Sequence, residues 1–301
     1  MLFRAILNRD GGTLRTTDLD ALRQRAEEIF REAGDELDCR IVDGRKVEKE
    51  LKAAGEDPDV DVILAGGGDG TISSAASVAF ASGKVLAVLP AGTMNLFARA
   101  LSMPVELEAA LIAIAHGDVH QIDICTANGR PFVHQFGVGV HARLVRIRDG
   151  MNYSSRWGKM LASLRAITAA ALNPPRFEVD IAGGAATTKS VVSGIAISNN
   201  PLDNGPVPVA SKLDSGLFGV YLAESLTTRE LLNLALDVFT GRWRANPRVT
   251  EAEVSALVLR FPKRKRNAQA VIDGELVPLD REVHFKMHPG GLAVIRPAPV
   301  E

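Results

Sequence analysis

The sequence predicts an α/β protein whose first half is a doubly wound parallel layer and whose second half is mostly β. Two observations carry this prediction. Apolar runs alternate with helical patterns up to about residue 120, whereas short strands separated by turn residues dominate afterwards. The 301 residues, 46% hydrophobic and 24% charged, are enough for two folded domains. We therefore expect domains at 1–120 and 121–301.

The first half shows strands followed by helices. Residues 1–8 are apolar and end in a polar, glycine-containing turn, as a strand does. Apolar residues then recur at helical spacing over 17–33. Thr17 or Asp18 is suited to cap this helix, and Gly34 is suited to end it.

Two continuous apolar runs follow, at 61–65 and 85–89, and each leads into a glycine-bearing turn and a helical pattern. Such runs are typical of strands covered on both faces. Strands that alternate with helices indicate a parallel sheet.

The second half of the sequence has a different residue pattern. Residues 119–140 resemble strand pairs, with Asn128-Gly129 as a hairpin turn. A helix is predicted at 155–172 and another at 228–240. Short strands make up the rest, at 176–181, 190–198, 218–223, 253–261, 268–272, 282–287 and 292–297.

The composition limits the partners and the cellular compartment that we expect for the protein. A formal net charge of −1 provides no global attraction to nucleic acid or to an anionic membrane. Cys39 and Cys125 have no metal-like spacing, so we expect reduced thiols, and the six histidines form no recognisable metal set. With no leader pattern and no apolar run of ~18 residues, we expect a cytoplasmic protein that is able to touch a membrane surface.

The stretch GGGDGT poses the central question of the first half. A strand that runs into Gly66, Gly67, Gly68 and Gly70 leaves the backbone N–H groups of the next helix open to a phosphate. The alternative is a tight turn whose glycines only permit positive φ. These two interpretations are about equal for a lone glycine-rich turn.

Asp69 favours the first interpretation. A carboxylate among phosphates is repelled unless a cation lies between them, so Asp69 indicates Mg²⁺ and a nucleotide polyphosphate. No lysine precedes Thr71, so this is not a Walker A loop, and the spacing is not that of a dinucleotide site.

A second turn of the same kind comes one strand later, in PAGTMN. Thr93 is suited to cap a helix there, and the side chains of Thr93 and Asn95 are able to reach a phosphate or ribose. The carboxyl ends of parallel strands share one edge of a sheet. We therefore expect the turns at 8–12, 66–71 and 90–95 to converge.

Four motifs, in order, carry a resemblance that covers nearly the whole chain. They are LNRDGG, GGGDGT with LPAGTMNLFAR, ISNNPLDNGPVPVASKLDSGLFGVYLAE and AVIDGELVPL. This set resembles the bacterial diacylglycerol kinase family, with its relatives that phosphorylate phosphatidylglycerol, sphingosine and ceramide. The glycine motif alone is shared with NAD kinases and phosphofructokinases. PAGTMN and IDGE argue against an NAD kinase.

The resemblance implies an ATP-binding α/β domain, a C-terminal β-sandwich that helps bind lipid, and a last segment that packs back on the first domain. It implies ATP and Mg²⁺ as cofactors and phosphoryl transfer to a lipid hydroxyl. The nucleotide contacts that it implies are Asn8, Gly12, Gly68, Asp69, Gly70, Thr71, Ser73, Ser74 and Thr93. The turns themselves add Gly66, Gly67, Gly92 and Asn95 to the predicted contacts.

Phosphoryl transfer to an alcohol needs a carboxylate that accepts the hydroxyl proton. The resemblance places that base at Asp273 or Glu275, and Glu275 is favoured, with Asp273 as a ligand or as its partner. If the segment stays extended, both side chains face the same way. Without the resemblance, Asp273-Gly274 is typical of a hairpin turn.

The loop SKLDSGLF resembles one that holds a structural Mg²⁺ in this family. Its implied ligands are the carbonyls of Lys212 and Leu217, with Ser215. Ser215 stands where the family often has an aspartate, so a plain turn at Ser215-Gly216 is a rival interpretation. Ser73 and Ser74 are further departures, and a non-catalytic nucleotide- or lipid-binding protein is therefore the alternative from another class.

A lipid kinase must reach a bilayer. The apolar and basic residues of 156–172 and the basic cluster 263–266 are candidates for that contact. A buried helix and a solvated loop, respectively, are the alternatives.

Overall fold

The computed structural model describes residues 1–149, 173–183, 186–205 and 207–298. The helix predicted at 155–172 lies outside these residues. The chain forms two compact units. Unit 1 comprises Met1–Ile124, Ser211–Asp214 and His288–Glu301, and unit 2 comprises Cys125–Ala210 and Ser215–Met287.

Unit 1 contains the parallel sheet that strand–helix alternation predicts. Its strands are β1 (Leu2–Asn8), β2 (Glu36–Val42), β3 (Val62–Gly67) and β4 (Val85–Pro90). β1 pairs with β2 and β3, and β3 pairs with β4, in parallel throughout. The C-terminal part of β15 (Glu282–Arg296) lies beside β4, where Val294 pairs with Leu86. β3 is buried along its whole length, which explains its continuous apolar run.

Five helices belong to unit 1: α1 (Leu19–Glu32), α2 (Val47–Glu56), α3 (Asp69–Ser82), α4 (Leu96–Ala100) and α5 (Leu107–Ala115). Asp18, one of the two predicted caps, accepts hydrogen bonds from the backbone N–H groups of Asp20 and Ala21 at the start of α1. Gly34 follows the last turn with φ +82°, as predicted. The buried face of α1 packs on the sheet, with the rings of Phe30 and Phe3 4.7 Å apart.

Unit 2 is built from antiparallel strands around a main apolar core. Its strands are the end of β5 (Asp118–Ala127), β6 (Arg130–Phe132), β7 (Gln135–Gly139), β8 (Phe177–Gly183), β9 (Ala186–Ser198), β10 (Phe218–Glu224), β11 (Val249–Val254), β12 (Leu257–Arg260), β13 (Gln269–Ile272), β14 (Glu275–Pro278) and the start of β15. Among its described residues, the α-helices are α6 (Val140–Asp149) and α7 (Thr228–Phe239). The predicted turn Asn128-Gly129 joins β5 to β6, with positive φ at both residues.

Two strand predictions are wrong. The segments 282–287 and 292–297 belong to one strand, β15, which continues through 288–291 with a positive φ of +59° at Gly290. The segment 253–261 is two strands instead of one, because β11 pairs with β10 whereas β12 pairs with β8 and β15. Ser255 and Ala256 belong to neither strand, at the point where the partners change.

Within the described residues, no helix has both the length and the apolar character to cross a bilayer. Cys39 and Cys125 form no disulfide bond within the described residues.

Candidate functional site

The three predicted turns lie together at the carboxyl edge of the unit 1 sheet. The backbone N–H of Thr13 donates to the carbonyl of Ala91 at 2.8 Å, and the N–H of Ala91 donates to the carbonyl of Gly67 at 3.0 Å. Asn8 Nδ2 donates to Thr71 Oγ1 at 3.1 Å. Each turn is therefore hydrogen-bonded to another.

Most of the glycines in these turns are required by packing. A Cβ on Gly12 would lie 2.4 Å from the carbonyl oxygen of Ala91, and one on Gly92 would lie 2.7 Å from Gly68 Cα. At Gly66 and Gly67 the space is filled by the side chains of Leu7 and Thr71. Close approach of the turns, and not positive φ, explains these glycines.

Gly68 is different. An added Cβ there would meet one atom within 4 Å among the described residues, Gly92 Cα at 3.6 Å. Gly68 is the N-cap of the 14-residue helix α3, and glycine has no side chain with which to cap it. The first turn of a helix carries N–H groups without intrahelical partners and the positive end of the helix dipole. Open space thus coincides with an uncapped helix N-terminus.

Asp69 lies in the first turn of α3 and binds the neighbouring turn. Its Oδ1 accepts from the N–H of Leu96 at 2.7 Å and its Oδ2 accepts from the N–H of Asn95 at 3.2 Å. The prediction that Thr93 caps the following helix is wrong. The N-cap of α4 is Asn95, at φ +51°, and the carboxylate of Asp69 satisfies the helix N–H groups in place of a local side chain.

Asn95 also closes its own turn. Its Oδ1 accepts from the N–H of Gly92 at 2.7 Å, and its Nδ2 donates to the carbonyl of Gly92 at 3.2 Å. Asn95 is buried, so its side chain fixes the turn. Thr93, by contrast, is exposed at the tip.

A fourth turn joins the group. The resemblance implies a further nucleotide contact near the end of the second strand, with Val42 and Asp43 as the candidates. Asp10 Oδ2 accepts from the N–H of Gly44, just after β2, at 2.8 Å. The carbonyl of Val42 accepts from the N–H of Arg9 at 3.0 Å. The signal in the sequence was weak, because a single Asp-Gly pair follows β2.

The remaining predicted contacts of unit 1 lie on α3. Gly70 and Thr71 belong to its first turn, and Ser73 and Ser74 to its second. Both serines are half-buried, and the carbonyl of Ser73 accepts from Ser77 Oγ at 3.0 Å.

In unit 2, Asp273 and Glu275 lie at the β13–β14 hairpin. The segment is not extended: Asp273 has φ +47° and Gly274 has φ +88°, as in the hairpin-turn interpretation. The carboxylate of Asp273 is buried and accepts three backbone hydrogen bonds, from Val133 at 3.0 Å, His134 at 3.0 Å and Gln135 at 2.9 Å. Asp273 therefore anchors the hairpin to the start of β7.

Glu275 begins β14, with its side chain half-exposed. Its Oε2 lies 2.6 Å from a guanidinium nitrogen of Arg130, itself half-exposed. Of the two carboxylates, Glu275 is the one that solvent and a substrate are able to reach.

The predicted metal loop forms a hydrogen-bonded turn. Ser215 donates through Oγ and N–H to Asn200 Oδ1, at 2.7 and 3.2 Å, and Ser215 Oγ accepts from the N–H of Leu217 at 3.2 Å. Within the described chain, no three His, Cys, Asp or Glu side chains form a metal-binding group. The ligand set Lys212, Ser215 and Leu217 stays a prediction.

The basic cluster 263–266 is a turn between β12 and β13. Lys263 pairs with Glu178, and Arg264 donates to the carbonyl of Leu279 at 2.8 Å. Two of its four charges are therefore engaged within unit 2.

Unit 2 also contains a cavity of about 300 Å³ lined by α6, α7 and strands β7, β9 and β10. Its walls are mostly aliphatic and aromatic, including Leu144, Leu234 and Val238. Polar groups are few: Gln135 Nε2 lies 3.2 Å from His141 Nδ1, and both residues line the cavity. This is the composition of a site for an apolar ligand with one polar end.

ATP and Mg²⁺ fit the residues that are present in unit 1. The open space at Gly68 and the uncapped start of α3 suit a phosphate. Mg²⁺ in kinases is held by one or two carboxylates together with substrate phosphates, not by a closed protein cage. Asp69 supplies one such carboxylate, and each of its oxygens retains a second acceptor position.

Comparison with known proteins agrees with this geometry. A protein of Synechocystis (strain PCC 6803), itself uncharacterized, is 29% identical over 85% of this chain and 60% of its own length. The diacylglycerol kinase of Bacillus subtilis (strain 168) is 24% identical over 76% of this chain and 78% of its own. The chain thus spans less than two thirds of the first of these relatives.

Among solved structures, that of a diacylglycerol kinase from Bacillus anthracis (strain Sterne) has a TM-score of 0.72. It covers 98% of this chain and 96% of its own, with 17% identity, and so establishes the fold. The family model for the diacylglycerol kinase catalytic domain matches residues 3–127, which include all four turns. Residues 3–127 are therefore similar to the diacylglycerol kinase catalytic domain.

Proposed function

We propose that the chain is an ATP- and Mg²⁺-dependent lipid kinase, which transfers the γ-phosphate of ATP to the hydroxyl of diacylglycerol or of a related lipid such as phosphatidylglycerol or a sphingolipid. One observation carries the proposal: an uncapped helix N-terminus opens onto free space at Gly68, where hydrogen-bonded turns meet in a region similar to the diacylglycerol kinase catalytic domain.

In unit 1, the N–H groups at the start of α3 bind phosphate oxygens, and the turns around Asn8 and Gly92 hold that helix end in place. Asp69 orients α4 and presents its carboxylate to the cation. When bound, Mg²⁺ neutralises the charge of the polyphosphate.

In unit 2, Glu275 accepts the proton of the lipid hydroxyl. Its ion pair with Arg130, at 2.6 Å, holds the carboxylate in place for that role. Asp273 acts as a positioning residue, because its three backbone hydrogen bonds hold the hairpin that carries Glu275. The apolar cavity receives acyl chain, and Gln135 and His141 meet the polar end of the lipid.

The test is transfer of labelled γ-phosphate from ATP to diacylglycerol, phosphatidylglycerol, ceramide and sphingosine in detergent micelles with Mg²⁺. Wild type is compared with Glu275→Gln and with Arg130→Gln, which removes the partner but leaves the carboxylate. We expect one labelled lipid, about 10²- to 10⁴-fold less label with Glu275→Gln, and a smaller loss with Arg130→Gln.

Full activity of Glu275→Gln would rule out the assigned base. ATP binding without transfer to any lipid would favour a non-catalytic nucleotide-binding protein. ATP consumption that depends on NAD would favour the NAD kinase alternative.

A further inference from the structure

Helix α7 of unit 2 exposes a row of large apolar side chains. Leu232, Leu236 and Phe239 are 41%, 61% and 80% exposed. At 100° per residue they fall within about 60° of arc on the helix surface. They therefore form one continuous apolar strip, which we call the outer strip.

The opposite side of α7 faces the body of unit 2. Leu231 is buried in a small cluster with Leu226, and Leu234 and Val238 line the apolar cavity. The core of the unit thus uses a different side of the helix, and packing within unit 2 does not account for the outer strip.

The charged residues at α7 also differ between the side that faces unit 2 and the exposed surface. Its two acids are engaged toward the body of the unit: Glu230 pairs with Arg248 at 2.6 Å, and Asp237 accepts from Asn246 Nδ2 at 2.7 Å. Arg229 and Arg242, exposed at the two ends of the helix, have no ion-pair partner in the described ranges. The exposed surface is therefore apolar with cationic ends.

We propose that the outer strip, with Arg229 and Arg242, docks unit 2 on an anionic lipid bilayer. An apolar strip flanked by arginines matches acyl chains below phosphate headgroups. The inner face of the same helix lines a cavity suited to acyl chain, so one element contacts both the bilayer and the cavity wall. The inference deepens the proposed function and rests on it for the lipid that the cavity receives.

The experiment is co-sedimentation of the full chain with phosphatidylcholine vesicles that contain or lack phosphatidylglycerol. We expect binding to the anionic vesicles, reduced at least about tenfold by Leu236→Glu or Phe239→Glu. Ile112→Glu, on α5 of unit 1, is the matched control for Leu232→Glu, because Ile112 and Leu232 are both 41% exposed on a helix. The control is expected to bind like wild type.

Arg229→Glu and Arg242→Glu test the charge component and are expected to weaken binding to the anionic vesicles. Unchanged thermal unfolding shows that each variant is folded. Phosphorylation of detergent-solubilised lipid, which needs no bilayer, is expected to stay at the wild-type level in all of them.

Equal vesicle binding by wild type and the outer-strip variants overturns the proposal, as does a wild type that binds neither vesicle. A dimer that Phe239→Glu dissociates without changing vesicle binding also overturns it and assigns the strip to a second copy of the chain. Lost vesicle binding in the variants, with no lipid phosphorylated by wild type, upholds docking and counts against the kinase.

Discussion

The Gly68→Ala substitution tests phosphate binding with little change to the packing of the joined turns. The added methyl meets Gly92 Cα at 3.6 Å, an ordinary contact, and φ is −86°. Alanine is a poorer N-cap than glycine by up to about 1 kcal/mol, so we expect the unfolding temperature to fall by roughly 2–4 °C. The methyl occupies the space that we assign to a phosphate.

Loss of one hydrogen bond to a charged phosphate costs about 1.5–3 kcal/mol. The dissociation constant for ATP should therefore rise about 10- to 150-fold, as measured by isothermal titration calorimetry with Mg²⁺. Wild-type affinity in a folded Gly68→Ala protein would refute the placement of the phosphate.

Two further alanine substitutions serve as comparisons for Gly68→Ala. Gly92→Ala places a Cβ 2.7 Å from Gly68 Cα and 2.8 Å from Asn95 Oδ1, so overpacking of about 1–3 kcal/mol should lower stability and ATP affinity together. Gly83→Ala, at the other end of α3, meets no described atom within 4 Å but must adopt φ +71°. That strain costs roughly 1–2 kcal/mol and should leave ATP affinity unchanged.

Three other substitutions or treatments test the rest of the structure. Asp273→Ala leaves three backbone N–H groups without their acceptor and should lower the unfolding temperature by several degrees. Asp273→Asn should lower it by less. Equal unfolding temperatures for both variants and wild type would contradict the role of Asp273 as an anchor of the hairpin. The N–H and hydroxyl of Thr227, with Arg248, hold the pKa of Glu230 at about 2 instead of 4.5, so its contribution to stability is full above pH 4.5 and is lost toward pH 2. In urea titrations, the stability difference between wild type and Glu230→Gln should shrink over that range, and a constant difference would count against the assignment. Burial raises the pKa of Cys39 from 9.0 to about 12, so alkylation near neutral pH should be about a thousandfold slower in the folded than in the urea-unfolded protein. Mass spectrometry follows the alkylation, and similar rates would contradict the raised pKa of this half-buried thiol.

The parallel layer was predictable because patterns within short stretches of the sequence determine its strands and turns. β3 and β4 are covered on both faces and therefore are continuous apolar runs, and each leads directly into its glycine turn. The convergence of the turns follows from parallel strand order alone. The hairpin at Asn128-Gly129 was predictable for the same reason, since two residues with positive φ determine it.

The partners of the site residues were not predictable from local patterns. Asp69 was interpreted from charge alone as a cation ligand, yet its carboxylate caps a helix that begins 27 residues later. Thr93 has the composition of a cap but lies at the exposed tip of its turn. Asp273-Gly274 is a local hairpin signal, but its hydrogen bonds to 133–135 join segments about 140 residues apart. Such pairings depend on the folded topology.

The hydrogen bonds among the four turns have a consequence for the thermodynamics of ligand binding. Asp10, Asp69 and Asn95 fix the backbone of these loops during folding, before any ligand arrives. The conformational entropy of the loops is lost once per folding event and not once per binding event. A ligand here meets a preorganised surface, and its affinity is not reduced by a cost for ordering these turns.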